Sequence, residues 1–160
     1  MDKILTTKQA RELSSKLHKQ HKRIVLAGGC FDLLHIGHIT FLEKAKKQGD
    51  VLIIMLESDA AITASKGKNR PINSQEIRAK ILAALSVVDF IILLEPNMSD
   101  SDYSTLVFSV KPAIIATTAG DVNRFHKERQ AKQIDANVVD VTPQIADKST
   151  TKLVELLNEL

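Results

Sequence analysis

A doubly wound α/β domain with helices on both faces of a five-stranded parallel sheet is the expected architecture of this 160-residue chain. Five short apolar runs of β-type composition recur, at residues 24–27, 51–56, 90–94, 113–116 and 137–141. Segments of helical length and pattern separate them, without the tight two-residue turns that join antiparallel neighbours. Parallel strands need such crossovers, and a sheet covered on both faces shows near-continuous apolar strands. The size agrees: 160 residues, 44% apolar and 26% charged, suffice for one domain that buries roughly 70% of the unfolded chain's surface. Residues 1–160 are read as that single domain, with 1–22 as a helical lead-in.

The lead-in contains a helix over 7–20, where Thr6 and Gln9 have the spacing of a capping box and Leu13 and Leu17 share a face. Strand 24–27 follows, then a glycine- and histidine-rich loop and a helix over 38–48. After strand 51–56 comes a basic loop, and a helix over 74–85 begins beside a second capping-box spacing, Asn73 with Glu76. Helices over 103–110 and 122–134 flank the fourth strand, and a last one covers 150–157. In such sheets ligands bind beyond the carboxyl ends of the strands where strand order reverses, which directs attention to the loops after Ala27, Leu56, Ala116 and Val141.

Composition narrows the function. Aromatic residues make up 4% of the chain, with no Trp and one Tyr, too few for a platform on which nucleic-acid bases stack. The lone Cys30 excludes a disulfide framework and a multi-cysteine zinc site and fits a reducing compartment. No apolar run approaches the ~20 residues of a membrane span, and the charged opening does not resemble a signal peptide. A cytoplasmic protein, with neither a membrane nor a nucleic acid as partner, is expected. The net charge of +3 is unevenly placed, with ten Lys/Arg against five Asp/Glu in residues 1–50, a balance that suits a solvated helix face or a small anionic ligand.

The loop from Gly28 through Gly29, Cys30, Phe31, Asp32, Leu33, Leu34, His35, Ile36 and Gly37 to His38 concentrates the unusual residues. Gly28 and Gly29 allow a sharp turn and close approach of backbone to a ligand, and Gly37 exposes main-chain N–H groups at a helix start. His35 and His38, three apart on the first turn, can both donate hydrogen bonds. Weighed against an ordinary strand-to-helix turn with capping histidines, this combination favours a polyphosphate site. The His-x-x-His spacing lacks a cysteine pair or third ligand for zinc, so no protein-held metal is expected.

The string from Gly29 to His38 resembles the signature of the nucleotidyltransferase superfamily, the cytidylyltransferase-like proteins with a His-x-Gly-His motif. Their Rossmann-like fold and their transfer of a nucleoside monophosphate from a triphosphate to a phosphorylated acceptor are what the resemblance implies. His35 to His38 also spells the motif of class I aminoacyl-tRNA synthetases, but those carry large tRNA-binding regions for which 160 residues leave no room. Lys66-Gly67-Lys68-Asn69-Arg70-Pro71, followed by Arg78, is similar to the adenylyltransferase domain of ADP-heptose synthase, and this likeness runs through about residues 3–157. It implies catalytic roles for His35, His38 and Lys66. Nucleotide binding falls to Gly28, Gly29, Cys30, Phe31, Gly37, His38, Gly120, Asp121, Ser149, Thr150 and Thr151, and acceptor or phosphate contact to Asp32, Arg70 and Arg78.

By composition alone, Lys66, Lys68 and Arg70 in one glycine-containing loop suggest a phosphate clamp. Asp121 suits either the cap of the next helix or a hydrogen bond to a nucleoside, and Ser149–Thr151 open the last helix, where hydroxyl and N–H groups suit a phosphate. Two stretches depart from the heptose branch. Thr118-Ala119-Gly120-Asp121-Val122 replaces a Lys-Gly-Gly-Asp-Tyr pattern, and residues 144–148 lack the usual acidic-glycine pair, with Lys148 as a substitute charge.

The expected activity is transfer from ATP to a sugar phosphate such as heptose 1-phosphate, with release of pyrophosphate and with Mg²⁺ held mainly by the nucleotide phosphates. The alternatives are a cytidylyltransferase using CTP and a polyol phosphate such as glycerol 3-phosphate, and a nucleotide-binding module without turnover. The resemblance is compatible with a homodimer.

Overall fold

Strand and helix alternate as expected, but the parallel sheet has six strands rather than five. The computed structural model describes residues 2–143. In chain order these form β1 (Ile4–Leu5), α1 (Thr7–Lys19), β2 (Ile24–Gly29), α2 (Ile36–Lys46), β3 (Val51–Leu56) and α3 (Asp59–Lys66). They continue with α4 (Gln75–Ala83), β4 (Phe90–Leu93), α5 (Asp100–Val110), β5 (Ile114–Thr118), α6 (Arg124–Gln133) and β6 (Asn137–Thr142). The expected helix at 150–157 lies outside the described residues.

The sixth strand is β1, which pairs with β4 through Ile4 opposite Ile91 and Leu5 opposite Ile92. Two residues are too few to display alternation, so only the neighbouring strand reveals them. Helix α3 went unread for a similar reason: Ile62 is its one buried side chain, and a helix that buries one residue has little periodic signal.

Local chemistry explains most boundaries. Thr6 and Gln9 close the expected capping box on α1, the Thr6 N–H donating to Gln9 Oε1 at 2.8 Å and the Gln9 N–H to Thr6 Oγ1 at 3.3 Å. The cap of α4 is Ser74, one residue later than expected, because the Asn73 side chain donates instead to the Asp32 carbonyl. Helix α5 starts at Asp100 rather than at residue 103, since Ser99 and Asp102 form a capping box of their own.

The sheet order is β1-β4-β3-β2-β5-β6, every neighbour parallel. From β2 the chain builds outward through β3 and β4, then crosses back to lay β5 and β6 on the other side. Strand order therefore reverses between β2 and β5, whose carboxyl ends are Gly29 and Thr118. One core packs α2 and α4 on one face, around Phe41, Leu42, Ala79 and Leu82; the other packs α1, α5 and α6, around Leu13, Leu17, Leu106, Val107 and Ala131. Ile24 to Ala27 and Leu52 to Ile54 are fully buried, as a sheet covered on both faces demands.

Candidate active site

The glycine pair does not form the turn. Gly28 and Gly29 are the last residues of β2, opposite Met55 and Leu56. The turn falls on Phe31, at φ 45°, a left-handed conformation uncommon for a bulky residue. Its buried ring folds back beneath the strand, and a Cβ on Gly29 would lie 2.8 Å from Phe31 Cε2. This packing by itself calls for a glycine at position 29. Phe31, expected to contact nucleotide, instead places its ring 5.3 Å from that of His38.

His35 caps α2. Its Nδ1 accepts from the Gly37 N–H at 3.1 Å, and its carbonyl accepts from the His38 N–H at 2.9 Å. The N–H of the buried Gly37, expected to meet phosphate, is therefore occupied within the protein. With Nδ1 accepting, the neutral ring carries its proton on Nε2, which is left as the donor. The His35 and His38 ring centroids are 3.9 Å apart, tilted by 31°. His38 Nδ1 is buried and makes no hydrogen bond of ordinary geometry to a described residue.

Burial lowers the pKa of both imidazoles; for His38, nearby His35 and Lys66 lower it further, to about 4, against a smaller opposing effect of the Leu33 backbone. Both shifts favour the neutral imidazole at pH 7. Because the unfolded chain binds protons that the folded one refuses, stability should fall as pH drops from about 6.5 to about 4. A loss of about 2–3 kcal/mol across that window is expected from His38. Urea unfolding at several pH values should show it, and H38N should flatten the slope; equal slopes in the two proteins would assign the effect elsewhere.

Lys66 ends helix α3 rather than lying in a loop, and Gly67 follows at φ 96°. Its ammonium acts electrostatically on the Cys30 thiol and on His38. Burial raises the Cys30 pKa more than Lys66 can lower it, so the thiol stays protonated. The fold thus gathers His35, His38, Cys30 and Lys66 beyond the end of β2; Lys66 and Lys68 are both exposed, and of the two Lys66 is the one that acts on Cys30 and His38.

Asp32, Arg70 and Arg78, expected to face phosphate or acceptor, are buried in the framework instead. Asp32 accepts from Arg70 Nε at 2.8 Å and from the Ile72 and Asn73 N–H groups at 2.9 Å. Burial pushes its carboxyl upward, but these donors outweigh that and hold it below the usual range. Arg78 has no exposed side-chain surface. It donates to the carbonyls of Asn73 at 3.0 Å, Cys30 at 2.6 Å and Glu57 at 2.8 Å, and to Asp59 Oδ1 at 2.7 Å. One guanidinium therefore ties together the segments that follow β2, follow β3 and precede α4, which no spacing of residues along the chain announces.

A cleft of about 780 Å³ opens where strand order reverses. Gly28, Gly29 and Cys30 line it with Thr117–Val122 and with Tyr103 and Lys127 from α5 and α6. Gly120, at φ 78°, and Asp121 are on its wall as expected. Asp121 is not the side-chain cap of α6: its Oδ1 accepts from the Asn123 N–H at 2.9 Å and its Oδ2 from Thr117 and Lys127. Burial favours a raised carboxyl there, yet Lys127 and the other donors leave it lowered.

The sequence reading missed Glu57, whose Oε2 accepts from Tyr103 at 2.6 Å inside this cleft. Its position just after β3 was the available signal. Ser149, Thr150, Thr151 and Lys148 lie outside the described residues. No helix among the described residues is long and apolar enough to cross a membrane.

The chain is 43% identical over 144 residues to the bifunctional protein HldE of Nitratiruptor sp. and 36% identical over 156 residues to that of Aliarcobacter butzleri. These matches cover 89% and 98% of this chain but 29% and 31% of the relatives, so the chain spans under a third of their length. The crystal structure of a lipopolysaccharide core biosynthesis protein from Thermoplasma volcanium superposes with a TM-score of 0.60 at 29% identity, covering 80% of this chain and 99% of that one. Pantoate-beta-alanine ligase from Francisella tularensis, at 19% identity, a TM-score of 0.61 and coverage of 98% of this chain and 76% of that one, shares the fold. The cytidylyltransferase-like family model matches residues 26–156, from within β2 past the last described strand, and the chain belongs to that family.

Proposed function

We propose that this chain transfers an adenylyl group from ATP to a sugar phosphate of the heptose 1-phosphate class and releases pyrophosphate. The observation that carries the reading is the convergence of His35, His38 and Lys66 beyond the carboxyl end of β2, beside the cleft at the strand-order reversal. Likeness to HldE proteins favours ATP and a heptose acceptor over CTP and a polyol phosphate.

In-line attack by an acceptor phosphate oxygen on the α-phosphorus builds charge on the leaving pyrophosphate, and fixed donors are the main means of stabilising it. His35 Nε2–H and the His38 ring serve as neutral donors, and Lys66 supplies the formal positive charge. Burial keeps the imidazoles from competing as cations, so they need no reorganisation as charge develops. Cys30 stays protonated and does not act as a nucleophile. Mg²⁺ would be carried on the triphosphate by phosphate oxygens and water. When bound it would share the phosphate charge, and Lys66 and His35 are the residues placed to meet those phosphates.

The deciding measurement is pyrophosphate release with Mg²⁺, each nucleoside triphosphate and a panel of phosphorylated acceptors. Release with ATP and heptose 1-phosphate is the expected result. Release only with CTP and glycerol 3-phosphate would replace it with the cytidylyl reading, and triphosphate binding without release from any pairing would make the chain a binding module. Within an active pairing, K66A should lower kcat/KM by about tenfold or more, in line with loss of a charged hydrogen bond, and K68A by less than about threefold. Equal small effects would remove Lys66 from the site.

A further inference from the structure

The cleft contains a carboxylate that the proposed chemistry leaves without a task. Glu57 lies half-buried just after β3 with its backbone held at both polar groups: its N–H donates to the Gly29 carbonyl at 3.1 Å and its carbonyl accepts from Arg78. The side chain is steadied by the Tyr103 hydroxyl at 2.6 Å. The other carboxylates of the cleft are compensated, Asp121 by Lys127 and Asp100 by Arg129 and His126. Glu57 pairs with no cation among the described residues, although a carboxylate drawn away from water needs donors for its remaining lone pairs.

Charge is distributed unevenly around Cys30. Lys66 and Glu57 act on its thiol electrostatically in opposite senses. An acceptor bound here meets a cation suited to its phosphate and, beyond the thiol, an acceptor-only group. We propose that Glu57, oriented by Tyr103, sets acceptor specificity, its carboxylate receiving hydrogen bonds from the hydroxyls of a polyhydroxylated monophosphate and repelling acceptors with a second anionic group there. This rests on the acceptor side of the reading above.

The physical basis is twofold. Hydroxyl donors satisfy the free lone pairs of Glu57 at no cost in charge, and a carboxylate or second phosphate in their place sets like charges together in a partly dry cleft. The tyrosine ring fixes the tip of the side chain with few rotatable bonds, so the recognising oxygen is preorganised.

Binding separates this proposal from turnover. Isothermal titration of the whole chain, with Mg²⁺ and an α,β-methylene analogue of ATP that cannot transfer its adenylyl group, should use heptose 1-phosphate and glycerol 3-phosphate as neutral-bodied ligands and 3-phosphoglycerate as the carboxylated counterpart of the latter. The wild type should prefer glycerol 3-phosphate over 3-phosphoglycerate by about tenfold or more. E57Q should weaken both neutral ligands by about tenfold and reduce that preference to within about threefold, and Y103F should move both quantities the same way by less. Binding in E57Q equal to wild type, a wild-type preference for 3-phosphoglycerate, or no binding of either neutral ligand would overturn the proposal. Pyrophosphate release with unchanged E57Q specificity defeats Glu57 and leaves the transferase reading standing; Glu57-dependent binding without release does the reverse.

Discussion

Replacing His38 by alanine is expected to lower pyrophosphate release by about 10²-fold or more, the usual consequence of removing one preorganised donor to a developing charge. The imidazole is held between the Phe31 ring and His35, with Lys66 acting on it from the end of α3. Its pKa near 4 means that the free protein presents a neutral ring at pH 7. The lost contribution is therefore a directed hydrogen bond and not a cation, and H38N should restore more activity than H38K. Packing around the ring is lost too, so loss of turnover has to be told apart from loss of fold. Turnover and thermal unfolding measured on one preparation separate the outcomes. Unchanged turnover in a folded H38A protein would remove His38 from the mechanism.

Arg78→Met should cost about 3–5 kcal/mol of folding stability, the scale for breaking a buried charged network from one side. Methionine approximates the length of the side chain but leaves three carbonyls, those of Cys30, Glu57 and Asn73, without their donor. Asp59 is half-exposed and can turn to water, so the carbonyls carry most of the effect. R78K should recover only part of the stability, because one ammonium cannot reach four acceptors arranged for a planar fork. The urea midpoint provides the measure, and a decrease below about 1 kcal/mol would show that the segments after β2 and β3 hold themselves in place. A triphosphate Kd should also rise in R78K, since the loop that carries His35 is tied down through Cys30.

Much of the fold could be read from the chain because burial on two faces leaves a one-dimensional record. Ile24 to Ala27 and Leu52 to Ile54 are apolar at every position, since both sides of each strand meet helices. Capping is equally local: Thr6 and Gln9 recognise each other across one turn and need nothing from the rest of the molecule. What escaped were β1, visible only through its pairing with β4, and α3, which buries a single residue.

At the site, the loop residues were identified, but their tasks were divided by contacts distant along the chain. Sequence position alone does not distinguish an arginine reaching for phosphate from one that binds the carbonyls of Cys30 and Glu57, 48 and 21 residues away. Gly29 looked like part of a turn and is the last residue of β2, giving the space into which Phe31 folds.

From the chain alone came the alternating α/β pattern and the loop after the first long strand, with its paired histidines and a lysine farther on, as the candidate site, since these depend on residue types and short spacings. Tertiary structure decided which of those residues are buried supports, that burial shifts both imidazoles toward the neutral form, and that Glu57 and Tyr103 share the cleft. The physical reason is that desolvation and buried hydrogen bonds arise from the surroundings of a side chain, and folding assembles those surroundings from segments tens of residues apart.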